Sequence, residues 1–153
     1  ARRLSDKEMV ASITREIYDF DKIAASHRRV KEKLAESENA AGDPNVNELV
    51  GRHYCFMKGE WSMGLPYLAR SDDADLRRLA QRELASPSDA QQQLELADGW
   101  LEQTRGASSP QDRNIAEHAL SWYEVAVAEL PQGLPRLKAE LRIKEIKSEL
   151  EKR

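Results

Sequence analysis

The stretch "CFMKGEWSMGLPYLA", residues Cys55–Ala69, interrupts a helical pattern and then resumes it. Gly59 follows apolar residues at helical spacing, and glycine tolerates the positive φ of a helix C-cap at little cost. Trp61, Leu65 and Leu68 then repeat the helical spacing. The stretch therefore predicts a helical hairpin, in which one helix ends at Gly59 and the next turns back against it.

Helical spacing dominates the rest of the chain as well. β-Branched residues never alternate with polar ones over a useful length, so the sequence predicts an all-α fold of about seven helices. A chain of 153 residues is long enough for one domain with a core. The helix boundaries are predicted from caps, glycines and prolines at Ser5, Gly42, Asp43-Pro44, Gly59, Ser71-Asp72, Ser86-Pro87, Ser88, Ser109-Pro110 and the LPQGLP stretch at 130–135.

The first helix is predicted to be long. Ser5 and Glu8 have the spacing of a capping box, and residues 6–40 contain neither glycine nor proline. A helix of this length would reach roughly 50 Å. We therefore divide the chain into a long N-terminal helix, residues 1–42, and a compact helical unit, residues 43–153.

An apolar stripe runs along this first helix in steps of three and four residues. Its members are Val10, Ile13, Ile17, Phe20, Ala24, His27, Val30 and Leu34. A lone helix cannot cover such a near-heptad stripe, so we expect either a homodimer through this helix or packing by sequence upstream of residue 1. The chain starts at Ala1 without a methionine, which is consistent with a segment of a longer protein.

The hairpin at the opening stretch resembles one unit of the tetratricopeptide (TPR) repeat family. The resemblance rests on small and aromatic residues around a Gly-acid-aromatic turn: Gly51-x-x-Tyr54, Lys58-Gly59-Glu60-Trp61 and Gly64-Leu65-Pro66-Tyr67-Leu68-Ala69. One extra residue lies between Gly51 and the turn, which departs from the family pattern. The family implies a short α-solenoid in which the two helices of each unit pack closely.

A second, stretched unit is similar to the same family. Leu96-Ala97-x-Gly99-Trp100 resembles a first helix, and Ala119-Leu120-x-x-Tyr123-x-x-Ala126 with Pro131 resembles a second. The spacing between the units exceeds the usual 34 residues or so. The resemblance covers residues 45–131 and extends to helical segments of large bacterial multidomain proteins of unknown function. An irregular helical bundle is the alternative architecture.

The TPR resemblance also implies a binding surface. In that family the first helices of successive pairs line a concave groove, and their outward side chains contact a peptide or protein segment. The matching positions here are Asn45, Glu48, Arg52, Gln91 and Asp98. They are polar and of both charge signs, and they lack the basic cluster that clamps a C-terminal carboxylate.

Residue types that carry catalysis or bind a cofactor form no motif in this sequence. The three histidines and single cysteine lack the spacing of a structural zinc site, so we predict no metal and no cofactor. Cys55 lies in an apolar stretch, which favours a buried, inert thiol and leaves the redox compartment undecided. No glycine-rich phosphate-binding motif or nucleophile elbow occurs. We therefore expect no enzymatic activity.

Charge and hydropathy indicate neither a nucleic-acid partner nor a membrane. Lys and Arg total 24 against 27 for Asp and Glu, and the basic stretch "HRRVKEK", residues 27–33, is followed by glutamates. No apolar run approaches the roughly 20 residues that span a bilayer. The three tryptophans lie on apolar helix sides, so core packing is favoured over a ligand pocket.

Three functions remain open from the sequence. The first is a scaffold that binds a peptide or protein segment in a helical-repeat groove, and a shallow groove with mixed charges would favour it. The second is an oligomerisation or spacer module, which an uncovered apolar stripe on the first helix would favour. The third is an enzyme or small-ligand binder, which convergent polar side chains in a closed pocket would favour. We predict the scaffold.

Overall fold

The computed structural model describes residues 2–36, 42–104 and 109–152, with side chains from residue 7 onwards. Within these residues the fold is all-α, with seven α-helices, one π-helical segment and no strand, as the sequence predicts. The α-helices are α1 Arg2–Glu36, α2 Pro44–Arg52, α3 Trp61–Leu68, α4 Ala74–Leu84, α5 Ala90–Leu101, α6 Pro110–Glu129 and α7 Leu134–Glu151.

Several helix ends lie where the sequence predicts them. The Asp43 carboxylate accepts a hydrogen bond from the backbone N–H of Asn45 at 2.9 Å, and Pro44 occupies the first helical position. Ser109 caps α6 through the backbone N–H of Asp112. Gly59 adopts a φ of +69° after the first hairpin helix. These residues supply partners or backbone conformations that helix termini require.

Three predicted N-caps are wrong. α1 already includes Ser5, so the Ser5 capping box does not start it. Asp73, rather than Ser71 or Asp72, caps α4, and Asp89, rather than Ser88, caps α5. In both corrected caps an aspartate carboxylate accepts hydrogen bonds from backbone N–H groups two or three residues further along the chain. The predicted end of the first helix near Ala40 lies outside the described residues.

A π-helical segment, His53–Met57, continues α2 and was not predicted. Its bonds reach further than those of an α-helix, since Lys58 N–H donates to the His53 carbonyl at 3.1 Å and Glu60 N–H donates to that of Tyr54 at 2.8 Å. Such a turn holds one more residue than an α-helical turn. The longer turn places Cys55 and Phe56 inside the core.

The hairpin helices α2 and α3 pack closely because two glycines leave room. A Cβ on Gly51 would lie 2.9 Å from the backbone nitrogen of Leu68, and a Cβ on Gly64 would lie 2.9 Å from the backbone nitrogen of Cys55. Neither position accommodates a larger residue without moving the backbone. Pro66 is the sixth residue of α3 and has no N–H, so one internal hydrogen bond of the helix is lost.

The main core lies among α3, α4, α5, α6 and the π-helical segment, and α5 with α6 forms the most extensive helix pair. Its largest fully buried side chains are Trp100, Phe56, Leu68, Leu76, Leu96 and Ile115. A smaller cluster joins Val30 of α1 to Val46 and Val50 of α2. α7 packs through Ala139 and Ile146, whereas Leu137 and Leu141 are exposed.

Candidate functional site

Asn45, Glu48 and Arg52, three of the five predicted groove residues, line one cavity of about 630 Å³ between α1 and α2. Two basic side chains of α1, Arg29 and Lys33, complete its polar wall. The structure thus brings these three residues together. They face α1, however, and not the α5 residues Gln91 and Asp98 that were predicted to share their groove.

Glu48 and Arg52 are already paired within the chain. Arg52 Nε donates to Glu48 Oε1 at 2.8 Å, and an Arg52 terminal nitrogen lies 3.1 Å from Asp73 Oδ2. The second Glu48 oxygen accepts from the backbone N–H of Asp73 at 3.3 Å. This network ties α2 to the N-terminus of α4. The side chains of Glu48 and Arg52 therefore stabilise the contact between α2 and α4. A ligand would have to displace these hydrogen bonds to bind them.

Gln91 and Asp98, the other two predicted residues, line a second cavity of about 560 Å³ bounded by α5 and α7. Asp98 accepts a hydrogen bond from the Tyr123 hydroxyl. Burial raises the pKa of Tyr123 above its ordinary value, and the bond to Asp98 adds to this, so the phenol stays a donor. The apolar part of the wall consists of Leu94, Leu134, Pro135, Ala139 and Leu141.

The five predicted residues therefore divide between two cavities, and none of them lines both. The second cavity is a shallow groove, since most of its lining residues are exposed. Its charged side chains are of both signs, Asp98 and Glu145 against Lys138 and Arg142.

A buried polar cluster that the sequence reasoning missed joins α4, α5 and α6. Glu83 is 9% exposed, and its Oε2 accepts from Trp100 Nε1 at 2.7 Å and lies 2.9 Å from His118 Nε2. Trp61 stacks on His118 with ring centroids 3.5 Å apart. The sequence pattern could have shown that Glu83 is buried, because Glu83 lies three and four residues after Ala80 and Leu79 on the buried face of α4.

The stacked rings of Trp61 and His118 are both partly buried. Trp61 contacts Phe56 within the hairpin, and it contacts Trp100 and His118 outside it. The ring therefore joins the hairpin to α5 and α6. Core packing, rather than a ligand pocket, explains both tryptophans.

Cys55 is fully buried in the main core, as the sequence predicts. Burial raises the pKa of its thiol far above the ordinary value, and the charge of Glu83 adds to the shift. The thiolate that attacks electrophiles or binds a metal is therefore suppressed in the folded chain. Among the described residues, no three His, Cys, Asp or Glu side chains are arranged to hold a metal ion.

His53 links the π-helical segment to α1. Its Nδ1 lies 2.9 Å from the Ser26 hydroxyl, and its ring centroid is 5.6 Å from that of His27. Burial lowers the pKa of His53, and the nearby charges of His27 and Lys58 lower it further, whereas Glu60 opposes the shift. His53 therefore favours the neutral form at this junction.

Exposed large apolar side chains are concentrated in the first half of α1. Val10 is 63% exposed and Phe20 72%, and both Ile13 and Ile17 are also exposed. α1 contacts the rest of the chain further along, through Asp19 to Arg113 at 3.0 Å, Ser26 to His53, and Val30 in the smaller core. We call Val10, Ile13, Ile17 and Phe20 the α1 stripe.

The α1 stripe faces away from the helical body. At 3.6 residues per turn, Asp19, Ser26 and Val30 lie within about 40° of one another around the helix axis. The mean direction of the stripe lies about 140° from theirs. The face that α1 uses to attach to the body is therefore distinct from its apolar face, and the described part of the chain leaves the stripe uncovered.

Comparison with known proteins finds no match: no protein-family model fits the chain, and no curated protein or solved structure is significantly similar to it. No helix in the described ranges has the length and apolar character needed to cross a membrane.

Proposed function

We propose that this chain is a non-enzymatic protein–protein interaction module that joins chains through the α1 stripe. The observation that carries the proposal is four large apolar side chains at heptad-like spacing on a face that the described part of the chain leaves in water. Exposed apolar patches of this kind mark association surfaces in soluble proteins. Two successive a/d pairs, Val10 with Ile13 and Ile17 with Phe20, suit packing by another amphipathic helix.

The attachment of α1 to the body supports the same function. The Asp19–Arg113 ion pair is about four-fifths buried on its acidic side, and with the Val30 contacts it fixes the second half of α1. Because its second half is fixed, α1 projects from the body in a defined direction and carries the α1 stripe away from the core. The paired α1 helices would then set the distance between the two helical bodies.

Sedimentation velocity of matched variants tests this proposal. We expect the wild type to associate with rising concentration. An Ile13→Gln, Phe20→Gln variant should sediment as a monomer that retains the folded helical body. A Leu137→Gln, Leu141→Gln variant is the control, because it removes two leucines of α7 that are each 53% exposed. Association that persists in the α1 variant, or a wild type that stays monomeric, would contradict the proposal.

The groove bounded by α5 and α7 supports a second candidate, recognition of an extended peptide. Its leucines could receive an apolar side chain, while Lys138 and Glu145 could pair with charges on either side. Exposed pairs contribute little singly, so affinity would be modest and salt-sensitive. We expect Leu134→Gln to reduce the capture of peptides from a library. Arg52 lies in the other cavity, and Arg52→Glu is unsuitable as a probe of binding because it breaks the Glu48–Arg52–Asp73 network.

We also infer that the hairpin at residues 44–68 is TPR-like. Close approach of two helices at Gly51 and Gly64 supports this inference, since that family places small residues where paired helices meet. The extra residue before the turn finds a physical explanation in the π-helical segment, which absorbs one residue without shifting the apolar face.

A further inference from the structure

We propose that the α1 stripe binds the same stripe of a second copy of this chain, and that the two helices run antiparallel. This inference rests on the proposed function, for which it supplies the partner and its orientation. Its evidence is the charge pattern beside the stripe, since charged residues flanking a heptad seam set partner choice and direction.

The flanking residues follow from the heptad. With Val10 and Ile17 at position a and Ile13 and Phe20 at position d, Lys7, Thr14 and Asp21 all fall at position e. Glu16 falls at position g. Lys7, Thr14, Glu16 and Asp21 are all exposed, and no ion pair within the described residues engages Lys7 or Asp21.

An antiparallel pair places these charges favourably. When Val10 packs against Phe20 of the second copy, and Ile13 against its Ile17, position e meets position e. Lys7 then lies opposite Asp21 of the second copy, and the symmetric contact repeats the attraction. The one opposing contact is between the two copies of Glu16 near the two-fold axis.

A parallel pair places them unfavourably. Position g of one helix then meets position e of the other, so Glu16 lies beside Asp21 of the second copy, twice over. Lys7 finds no described acidic residue across that seam. Like charges at these positions disfavour association, so the described charges select the antiparallel arrangement. The antiparallel arrangement also places the two helical bodies at opposite ends of the helix pair. Because the two copies carry the same net charge, this separation lowers their repulsion.

Charge reversal distinguishes the two directions by the sign of its effect. Asp21→Lys should weaken the antiparallel dimer about three- to tenfold, because both Lys7 contacts become repulsive. In a parallel dimer the same change would place the introduced lysine beside Glu16 of the second copy and strengthen association. The Lys7→Glu, Asp21→Lys double variant should restore the wild-type dissociation constant, measured by sedimentation equilibrium at low salt.

Spin labels give the direction as a distance. Glu8, Arg15 and Lys22 all lie at position f and can each be replaced by a labelled cysteine, since the native Cys55 is buried. In the antiparallel pair the two Arg15 sites are level, whereas the Glu8 and Lys22 sites are each displaced by roughly 20 Å along the axis. We therefore expect the shortest label-to-label distance at Arg15 and similar, longer distances at the other two.

Two results of these measurements would overturn the antiparallel dimer. Equal distances at all three sites would show a parallel pair, and a trimeric or larger mass would exclude a two-copy seam. Either result would leave the proposed function of the α1 stripe intact. A chain that stays monomeric at every concentration would overturn the inference and the proposed function together.

Discussion

At Gly64, neighbouring backbone atoms leave no room for a side chain. A Cβ there would lie 2.9 Å from both the Cys55 nitrogen and the Gly51 carbonyl oxygen, which cannot move as a flexible side chain can. We expect Gly64→Ala to lower the free energy of unfolding by about 1–3 kcal/mol, the usual cost of overpacking. Urea denaturation followed by circular dichroism measures this change.

The control for Gly64 is Ser62→Ala in the same helix, where the side chain is exposed. It should change the unfolding free energy by less than about 0.5 kcal/mol, as surface substitutions usually do. If Gly64→Ala were as mild as Ser62→Ala, the close approach of α2 and α3 would be wrong.

His53 makes stability depend on pH. Its pKa in the folded chain is lowered from 6.5, so the unfolded chain binds the proton more tightly. The contribution of the neutral ring is fully present above pH 6.5 and is lost as the pH falls below that value towards the folded-state pKa. We expect the free energy of unfolding to fall by up to about 1.4 kcal/mol per pH unit in this window.

His53→Gln provides the comparison for that pH dependence. An amide can bond to Ser26 but does not titrate, so the variant should lose much of the dependence between about one pH unit above and one below 6.5. Urea denaturation at the two pH values measures both chains. An unchanged slope in the variant would show that another group causes the loss.

At the scale of the helices, Glu83 holds α4 to α5 and α6. Glu83→Ala leaves the indole N–H of buried Trp100 and the ring nitrogen of His118 without their acceptor. Each unsatisfied buried donor costs about 1–3 kcal/mol, so we expect a total loss of about 2–4 kcal/mol. Glu83→Gln keeps one carbonyl acceptor and should cost less.

Arg82 and Glu95 offer a matched control between α4 and α5. They form an ion pair at 2.9 Å with both side chains substantially exposed. Exposed pairs contribute about 0–1 kcal/mol, so Glu95→Ala should be nearly neutral in the same denaturation assay. Equal losses for Glu83→Ala and Glu95→Ala would refute a special role for the buried cluster.

Sequence patterns predict the helices well, because caps, glycines and apolar spacing act locally. Ser109-Pro110, Asp43-Pro44 and Gly59 mark ends that the structure confirms. The wrong caps at α4 and α5 have a simple cause, since adjacent serines and aspartates all have capping side chains. The π-helical segment could not be predicted from caps, glycines or apolar spacing, because it continues α2 without a break.

The candidate groove could be predicted only in part. Helical periodicity places Glu48 and Arg52 on one face of α2, and Gln91 and Asp98 on one face of α5. Whether the two faces meet depends on how the helix pairs are arranged in space, which no local pattern specifies. Periodicity likewise could not show that Glu48 and Arg52 are engaged by Asp73.

At the scale of the whole molecule, most large apolar side chains are buried in the core, but those of the α1 stripe are exposed. The core buries Trp100, Phe56 and Ile115 completely, whereas the α1 stripe lies in water on a face turned away from that core. A helix without tertiary contacts is only marginally stable in water. The first half of α1 should therefore gain most of its stability from association.

Hydrogen–deuterium exchange at two protein concentrations tests this most directly. The account predicts that amides of residues 9–20 become markedly more protected as concentration rises, whereas those of α5 and α6 stay equally protected throughout, because their contacts lie within one chain. The Ile13→Gln, Phe20→Gln variant should lose the concentration dependence. Protection of residues 9–20 that is the same at both concentrations would contradict the claim that the α1 stripe joins chains.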